Sequence, residues 1–221
     1  MPDQTIVAIG GFTDVDPLLD YVLGLARGRR VLYVPTAGME NSDYTVSWYE
    51  LVAKHHATMS HLHFFPWPPE NARERVLEHD VVLVPGGNTA NMLAIWRVHG
   101  FDAVLREAWE NGVVLAGWSA GAICWFEAGI TDSFGPQLAG MECLGFLPGS
   151  ACPHYDGEEL RRPRYAELLR EGFAPGVAID DGVAVRFEAT ELVEVVTARD
   201  GATAYRVTAD GEEPLEARLL V

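Results

Sequence analysis

Between an apolar run, Val113 to Ala116, and a helix-like stretch reaching Phe126, the chain reads Gly117-Trp118-Ser119-Ala120-Gly121. A G-x-S-x-G sequence between strand and helix sets its serine on a sharp turn, because only small neighbours let the backbone bend so tightly. The hydroxyl then lies at the positive end of a helix, and the N–H of Ala120 points where an oxyanion would form. A plain glycine-rich turn with a surface serine is the alternative, but it gives no reason for both flanks. Ser119 is the candidate nucleophile.

Such a serine needs a base, and the base needs an orienting group. Histidines 55, 56, 61, 63, 79 and 99 all precede Ser119, and only His154 follows it, in Cys152-Pro-His-Tyr-Asp156. That stretch reads as a loop between ordered elements, where sites assemble at the carboxyl edge of a parallel sheet. His154 is the candidate base. Two acids stay open. Asp181, in Ile179-Asp-Asp-Gly182, ends a strand at a tight turn that could hold a carboxylate rigidly, although D-G is also an ordinary turn. Asp180 alternates to the other strand face. Asp132, in Ile130-Thr-Asp-Ser133, follows the nucleophile helix.

Pro85-Gly86-Gly87-Asn88 is the other chemical loop. Two glycines let the backbone approach a ligand and aim N–H groups at it, so Gly86, Gly87 and Ala120 form a candidate oxyanion hole. Asn88 is a candidate substrate-binding residue. The chain has neither G-x-G-x-x-G nor G-K-[ST], and Gly10-Gly11 lacks the rest of a dinucleotide fingerprint, so no cofactor is expected. His61 and His63 share one face of a strand, but no third ligand stands at plausible spacing, so no metal is expected.

The elements that must position these residues alternate. Apolar runs at Thr5–Ile9, Val31–Val34, His61–Phe65, Val81–Val84 and Val113–Ala116 read as strands. Between them lie helical patterns: one opened by Asp16-Pro17 and ended by Gly28, one over 43–57 capped by Ser42, and others at 70–78, 89–98 and 101–110. The expected fold is a three-layer α/β sandwich with a mostly parallel sheet, as one domain over 1–221. From Gly129 to Tyr155 glycine and proline suggest loops, followed by a helix over 158–171. Strand-like pieces separated by D-G turns then suggest an antiparallel C-terminal extension of the same sheet.

Composition narrows the partners. A formal charge of −16 argues against nucleic acid and anionic membranes. No stretch is long and apolar enough to span a bilayer. The opening MPDQTIVAIG lacks a basic region and a cleavage site, and reads as unprocessed. Cys124, Cys143 and Cys152 are odd in number and unlike metal pairs, which favours reduced thiols in a cytoplasm. The expected partner is a small peptide, with a homodimer left open.

Assembled, the motifs resemble the peptidase E family of serine peptidases, which includes aspartyl dipeptidases and has cyanophycinases as relatives. The likeness runs along nearly the whole chain: I-x-x-I-G-G-F from Ile6, P-G-G-N from Pro85, G-W-S-A-G-A from Gly117, T-D-S from Thr131, P-H-Y from Pro153 and I-D-D-G from Ile179. It implies a fold like class I glutamine amidotransferases, with serine in place of their cysteine, and hydrolysis of short peptides. By position it makes Ser119 the nucleophile and His154 the base. Asp181 stands where the family usually carries glutamate, and Asp132 matches a second acid considered for the triad. An arginine after the histidine loop binds an aspartyl side chain in the dipeptidases, and Arg161 falls near that place. Arg164 shares its helix face. Cleavage after an N-terminal Asp, or of β-linked Asp-Arg, is therefore what the resemblance suggests.

Three rivals remain. An α/β-hydrolase esterase would place its histidine after further strand–helix units, whereas His154 comes 35 residues after Ser119 (154 minus 119). A glutaminase would need cysteine at position 119. A non-catalytic binding protein would have no use for the serine, histidine and glycine loop together.

Overall fold

A computed structural model describes residues 4–220. Residues 1–3, part of the N-terminal stretch read above as unprocessed, lie outside the described residues. The chain order is β1 (Thr5–Ile9), α1 (Val15–Leu25), β2 (Arg30–Tyr33), a 3₁₀ turn (Pro35–Gly38), α2 (Ser42–Lys54), β3 (Thr58–His61), α3 (Ala72–Leu77), β4 (Val81–Val84), α4 (Thr89–Val98), α5 (Phe101–Glu110) and β5 (Val114–Trp118). There follow α6 (Ala120–Ile123), β6 (Phe126–Thr131), β7 (Ala139–Glu142), β8 (Leu147–Cys152), α7 (Arg161–Arg170), β9 (Gly176–Ile179), β10 (Val183–Glu188), β11 (Glu191–Thr197), β12 (Ala204–Thr208), β13 (Gly211–Pro214) and β14 (Arg218–Leu219).

The main sheet has the order β14-β11-β10-β1-β5-β4-β2-β3 and is mostly parallel. Its central strands are apolar on both faces because both faces are covered. Val7, Ile9, Val31 and Tyr33 pack against Leu18, Leu19 and Val22 of α1 and Trp48 and Val52 of α2. Ile6, Ala8, Leu32 and Val82 pack on the opposite side with Met92, Leu93 and Trp96 of α4 and Leu105 of α5. This is the three-layer α/β arrangement. No helix among the described residues is long and apolar enough to cross a membrane.

The region after Gly129 differs from expectation. Three strands, β6, β7 and β8, run through it, and with later strands they build a second sheet of order β13-β12-β9-β8-β6-β7. Only β10, β11 and β14 extend the main sheet. Glycines read as breakers here because they sit inside strands where bulky neighbours press: a β-carbon at Gly140 would lie 2.4 Å from the Phe173 ring. Phe126, Leu147, Ala151 and Val177 of this sheet join the core of the main sheet, while Tyr165 and Leu169 of α7 cover Ile130, Cys152 and Ala178 in a separate cluster.

Smaller differences have local causes. β3 ends at His61, before the apolar residues that suggested it. Leu62 and Phe64 leave the sheet edge to fill the core, and Glu40 accepts the Phe64 N–H at 2.5 Å. α2 is capped by Asn41, whose side chain accepts the N–H groups of Asp43 at 2.9 Å and Tyr44 at 3.2 Å, and not by Ser42. α1 begins at Val15, and Asp16 caps nothing; its carboxylate receives His55 Nε2 at 2.8 Å instead. The three cysteines are free and buried. Burial pushes the Cys143 and Cys152 thiols up to about 12.

His55 ties α2 to α1, with Nδ1 2.7 Å from Asp20 and Nε2 2.8 Å from Asp16. Burial alone would lower its pKa, but the two carboxylates outweigh it and the net direction is upward. A histidine whose pKa rises on folding stabilises the fold fully below its unfolded value of about 6.5, and that stabilisation is lost as pH climbs through the raised folded value. His55→Gln is therefore expected to lower the melting temperature more at pH 5.5 than at pH 8.5. Equal losses at both pH values in thermal melts would remove the charge from the explanation.

Candidate active site

β5 lies between β1 and β4 in parallel register, with Ile9 beside Trp118 and Val84 beside Gly117. The carboxyl ends of three strands therefore meet: Gly10-Gly11 after β1, Pro85-Gly86-Gly87 after β4 and Ser119 after β5. The Ser119 N–H donates to Ile9 O at 3.1 Å, which fixes the turn to β1. Ser119 itself has φ 56° and ψ −115°, a left-handed conformation that a non-glycine residue holds only when its surroundings enforce it. The enforcement is steric. A β-carbon at Gly121 would stand 2.1 Å from Val84 O, and one at Gly117 2.5 Å from both Val84 O and Gly121 O. The turn is clamped onto β4, and α6 starts at Ala120 with its first N–H groups unpaired within the helix.

His154 follows β8, also at positive φ (52°), and its Nδ1 is 2.7 Å from Asp181 Oδ1. Asp181 lies in the turn between β9 and β10, where it forms a parallel bridge with Gly11. Both side chains lie directly over Gly11: a β-carbon there would be 2.1 Å from Asp181 Oδ1 and 2.6 Å from the His154 ring. Asp180 turns away, buried, and accepts the Thr203 N–H at 3.1 Å. Asp132 is exposed, and its carboxylate makes no hydrogen bond to His154 among the described residues. No Ser119–His154 hydrogen bond forms among the described residues either; such bonds commonly tighten only when substrate is bound.

The Gly86-Gly87 loop touches the serine turn. A β-carbon at Gly86 would be 3.1 Å from Ser119 Cβ. Among the described residues, neither the Gly86 nor the Gly87 amide donates to a backbone carbonyl, whereas Asn88 N donates to Ala37 O at 2.9 Å. Asn88 is the N-cap of α4: its Oδ1 accepts Asn91 N at 2.8 Å and its Nδ2 donates to Ser133 O at 3.1 Å.

The model of peptidase family S51 matches residues 6–195. The chain belongs to that family. A relative 45% identical over 211 residues, 92% of this chain and 91% of its own length, is the Bacillus subtilis protein called uncharacterized peptidase YgaJ. Peptidase E of Citrobacter koseri is 29% identical over 154 residues, 64% of this chain and 66% of that protein. In fold, the chain is similar to a peptidase from an acI-B1 Actinobacterium, with TM-score 0.68 at 18% identity over 96% of this chain and 94% of that one. The protein is a peptidase.

In this S51 peptidase the arginines do not sit as expected. Arg161 is 3% exposed; its Nε donates to Glu158 at 2.7 Å and its Nη1 to Ile130 O at 2.9 Å, so it ties α7 to the end of β6. Arg164 donates to Leu138 O at 3.1 Å and pairs with Glu167. Conversely, two residues that sequence reasoning passed over hold Asp181. Asp156 Oδ1 accepts the Asp181 N–H at 2.9 Å, Arg199 Nε donates to Asp181 O at 3.1 Å, and Arg199 pairs with Asp156. Burial opposes the Asp156 charge, yet the Asp181 N–H and Arg199 keep its pKa below the ordinary carboxylate value. Asp156 belongs to a D-G step beside His154, which was the available signal. Among the described residues no group of three or more His, Cys, Asp or Glu is arranged to hold a metal.

Gly11→Ala is expected to separate His154 from Asp181, because the new methyl group would occupy the space of their bond. The downfield imidazole N–H resonance of that bond should disappear from the proton spectrum of Gly11→Ala, and likewise from that of Asp181→Ala. Its persistence would show that the pair tolerates a side chain at position 11.

Proposed function

We propose that this peptidase is a serine hydrolase of short peptides in which Ser119 attacks, His154 transfers the proton and Asp181 orients His154. The observation that carries the reading is the 2.7 Å His154–Asp181 bond lying over Gly11, two residues from the Ile9 carbonyl that anchors Ser119. Nucleophile turn and base–acid pair are thus braced on one strand end. Asp181 accepts a hydrogen bond from the His154 Nδ1–H, which leaves Nε2 free to take the hydroxyl proton. Attack on the peptide carbonyl gives a tetrahedral oxyanion, received by the N–H groups of Ala120, Gly86 and Gly87. His154 then protonates the leaving amine, and water releases the acyl group by the reverse sequence.

Selection of an N-terminal aspartate would require a free guanidinium fork. Arg161 and Arg164 are both engaged with backbone carbonyls and glutamates, which favours a peptidase without that preference. Arg161→Ala should lower stability by about 1–3 kcal/mol, because it strands a buried carbonyl. It should change kcat/KM for Asp-Leu and Ala-Leu in equal proportion; a loss confined to Asp-Leu would restore Asp-X selection.

The triad is tested by labelling and kinetics. A fluorophosphonate should modify the protein and not Ser119→Ala. Ser119→Ala and His154→Ala should each lower the rate by several orders of magnitude, and the double variant should cost little more, since the two act as a unit. Asp181→Asn should lose about four orders of magnitude through the wrong imidazole tautomer, as in comparable triads, and Asp132→Asn far less. The opposite ranking would make Asp132 the acid.

A further inference from the structure

On the β4 side of the Ser119 turn the carboxyl ends of β2 and β4 enclose a cavity of about 460 Å³. Its walls are Tyr33, Met39, Tyr44, Trp48 and Trp118, and its rim is the Gly86-Gly87 loop. Trp48 stacks on Trp118 with centroids 4.7 Å apart and on Tyr33 at 5.7 Å, so the aromatic wall is a rigid continuous surface that begins one residue before the nucleophile. Tyr33 and Trp48 form a buried floor, whereas Met39 and Tyr44 stand 86% and 67% exposed at the mouth.

Among the described residues, no charged side chain lines this space. Its two asparagines are already engaged: the Asn41 side-chain oxygen caps α2, and the Asn88 amide caps α4 and binds Ser133. Burial pushes the Tyr33 phenol further from ionisation, so that wall stays neutral. A carboxylate or ammonium placed against the aromatic floor would lose hydration and find no charged side chain of opposite sign. An apolar ring would gain burial and stacking.

The position relative to the base decides which substrate residue enters. β5 separates β1, over which His154 lies, from β4 and the cavity. The leaving amine must face His154, which protonates it. The residue contributing the scissile carbonyl therefore extends its side chain away from His154, toward Gly86 and the aromatic wall. We propose that this cavity is the specificity pocket for that residue and that it takes a large apolar or aromatic side chain. The assignment rests on the serine-hydrolase reading above.

Gly38 supplies the test. It lines the cavity, and a β-carbon there meets only Gly86 O, at 3.6 Å, an ordinary contact; a leucine at 38 can therefore fill the space without displacing backbone. Binding of Phe-Ala, Ala-Phe and Ala-Ala is measured on Ser119→Ala protein by isothermal titration calorimetry, so that turnover is not needed. Phe-Ala should bind at least about tenfold more tightly than Ala-Ala, the scale by which apolar pockets discriminate. Adding Gly38→Leu should erase that difference, with circular dichroism confirming that the variant is folded. Equal affinities, a preference confined to Ala-Phe, or burial of Met39 and Tyr44 in a dimer of this chain would overturn the assignment. Selective binding of Phe-Ala without hydrolysis by the unsubstituted protein would sink the catalytic reading and leave the pocket standing.

Discussion

The site depends on a contact in which there is no room for a side chain. Val84 O presses on the Cα positions of Gly117 and Gly121, and that pressure holds Ser119 at a positive φ. From this clamp the rest of the geometry follows. The turn can reverse direction within one residue, so α6 starts immediately and its first amides stay unpaired beside the Gly86-Gly87 loop. Its other side is held by one backbone bond to Ile9, which brings β1, and with it Gly11, to the serine. Crowding of this kind is more reliable than side-chain hydrogen bonds for positioning a nucleophile, since packed backbone has no alternative rotamer to occupy.

The acid–base half is built differently. His154 and Asp181 come from loops that have no regular hydrogen-bond ladder, so their positions rest on discrete polar contacts. Asp156 and Arg199 hold the Asp181 main chain from either side, and Gly11 provides a flat floor under both the imidazole ring and the carboxylate. A loop without a regular ladder is thereby held by an ion pair that grips the Asp181 main chain.

How much of this was legible in the sequence follows from how local each cause is. The strands at 5–9, 31–34, 81–84 and 114–118 announce themselves as short apolar runs because they are buried on both faces. Ser119 is visible because its turn imposes small residues at fixed spacing. The second sheet was hidden because its strands carry glycine and proline, and only the neighbouring Phe173 explains why position 140 must lack a side chain. Likewise, the cleft-facing role expected of Arg161 could not be rejected from spacing alone: its guanidinium faces a carbonyl on β6, 31 residues earlier. The aromatic wall was equally invisible, since Tyr33 of β2, Trp48 of α2 and Trp118 of β5 come from three different elements and meet only after the sheet has closed.

The central place of β1 has a consequence for folding. This strand is the first of the described elements, yet its antiparallel neighbour is β10, and Gly11 bridges to Asp181. A partly folded chain that already holds Ser119 and the glycine loop still lacks the acid, the strand that closes β1 and the floor contact that seats His154. Since domains assemble as units once their non-local pairings are available, the proposed triad is complete only after β10 and Asp181 have joined β1. The topology thereby couples completion of the proposed triad to closure of the sheet around β1.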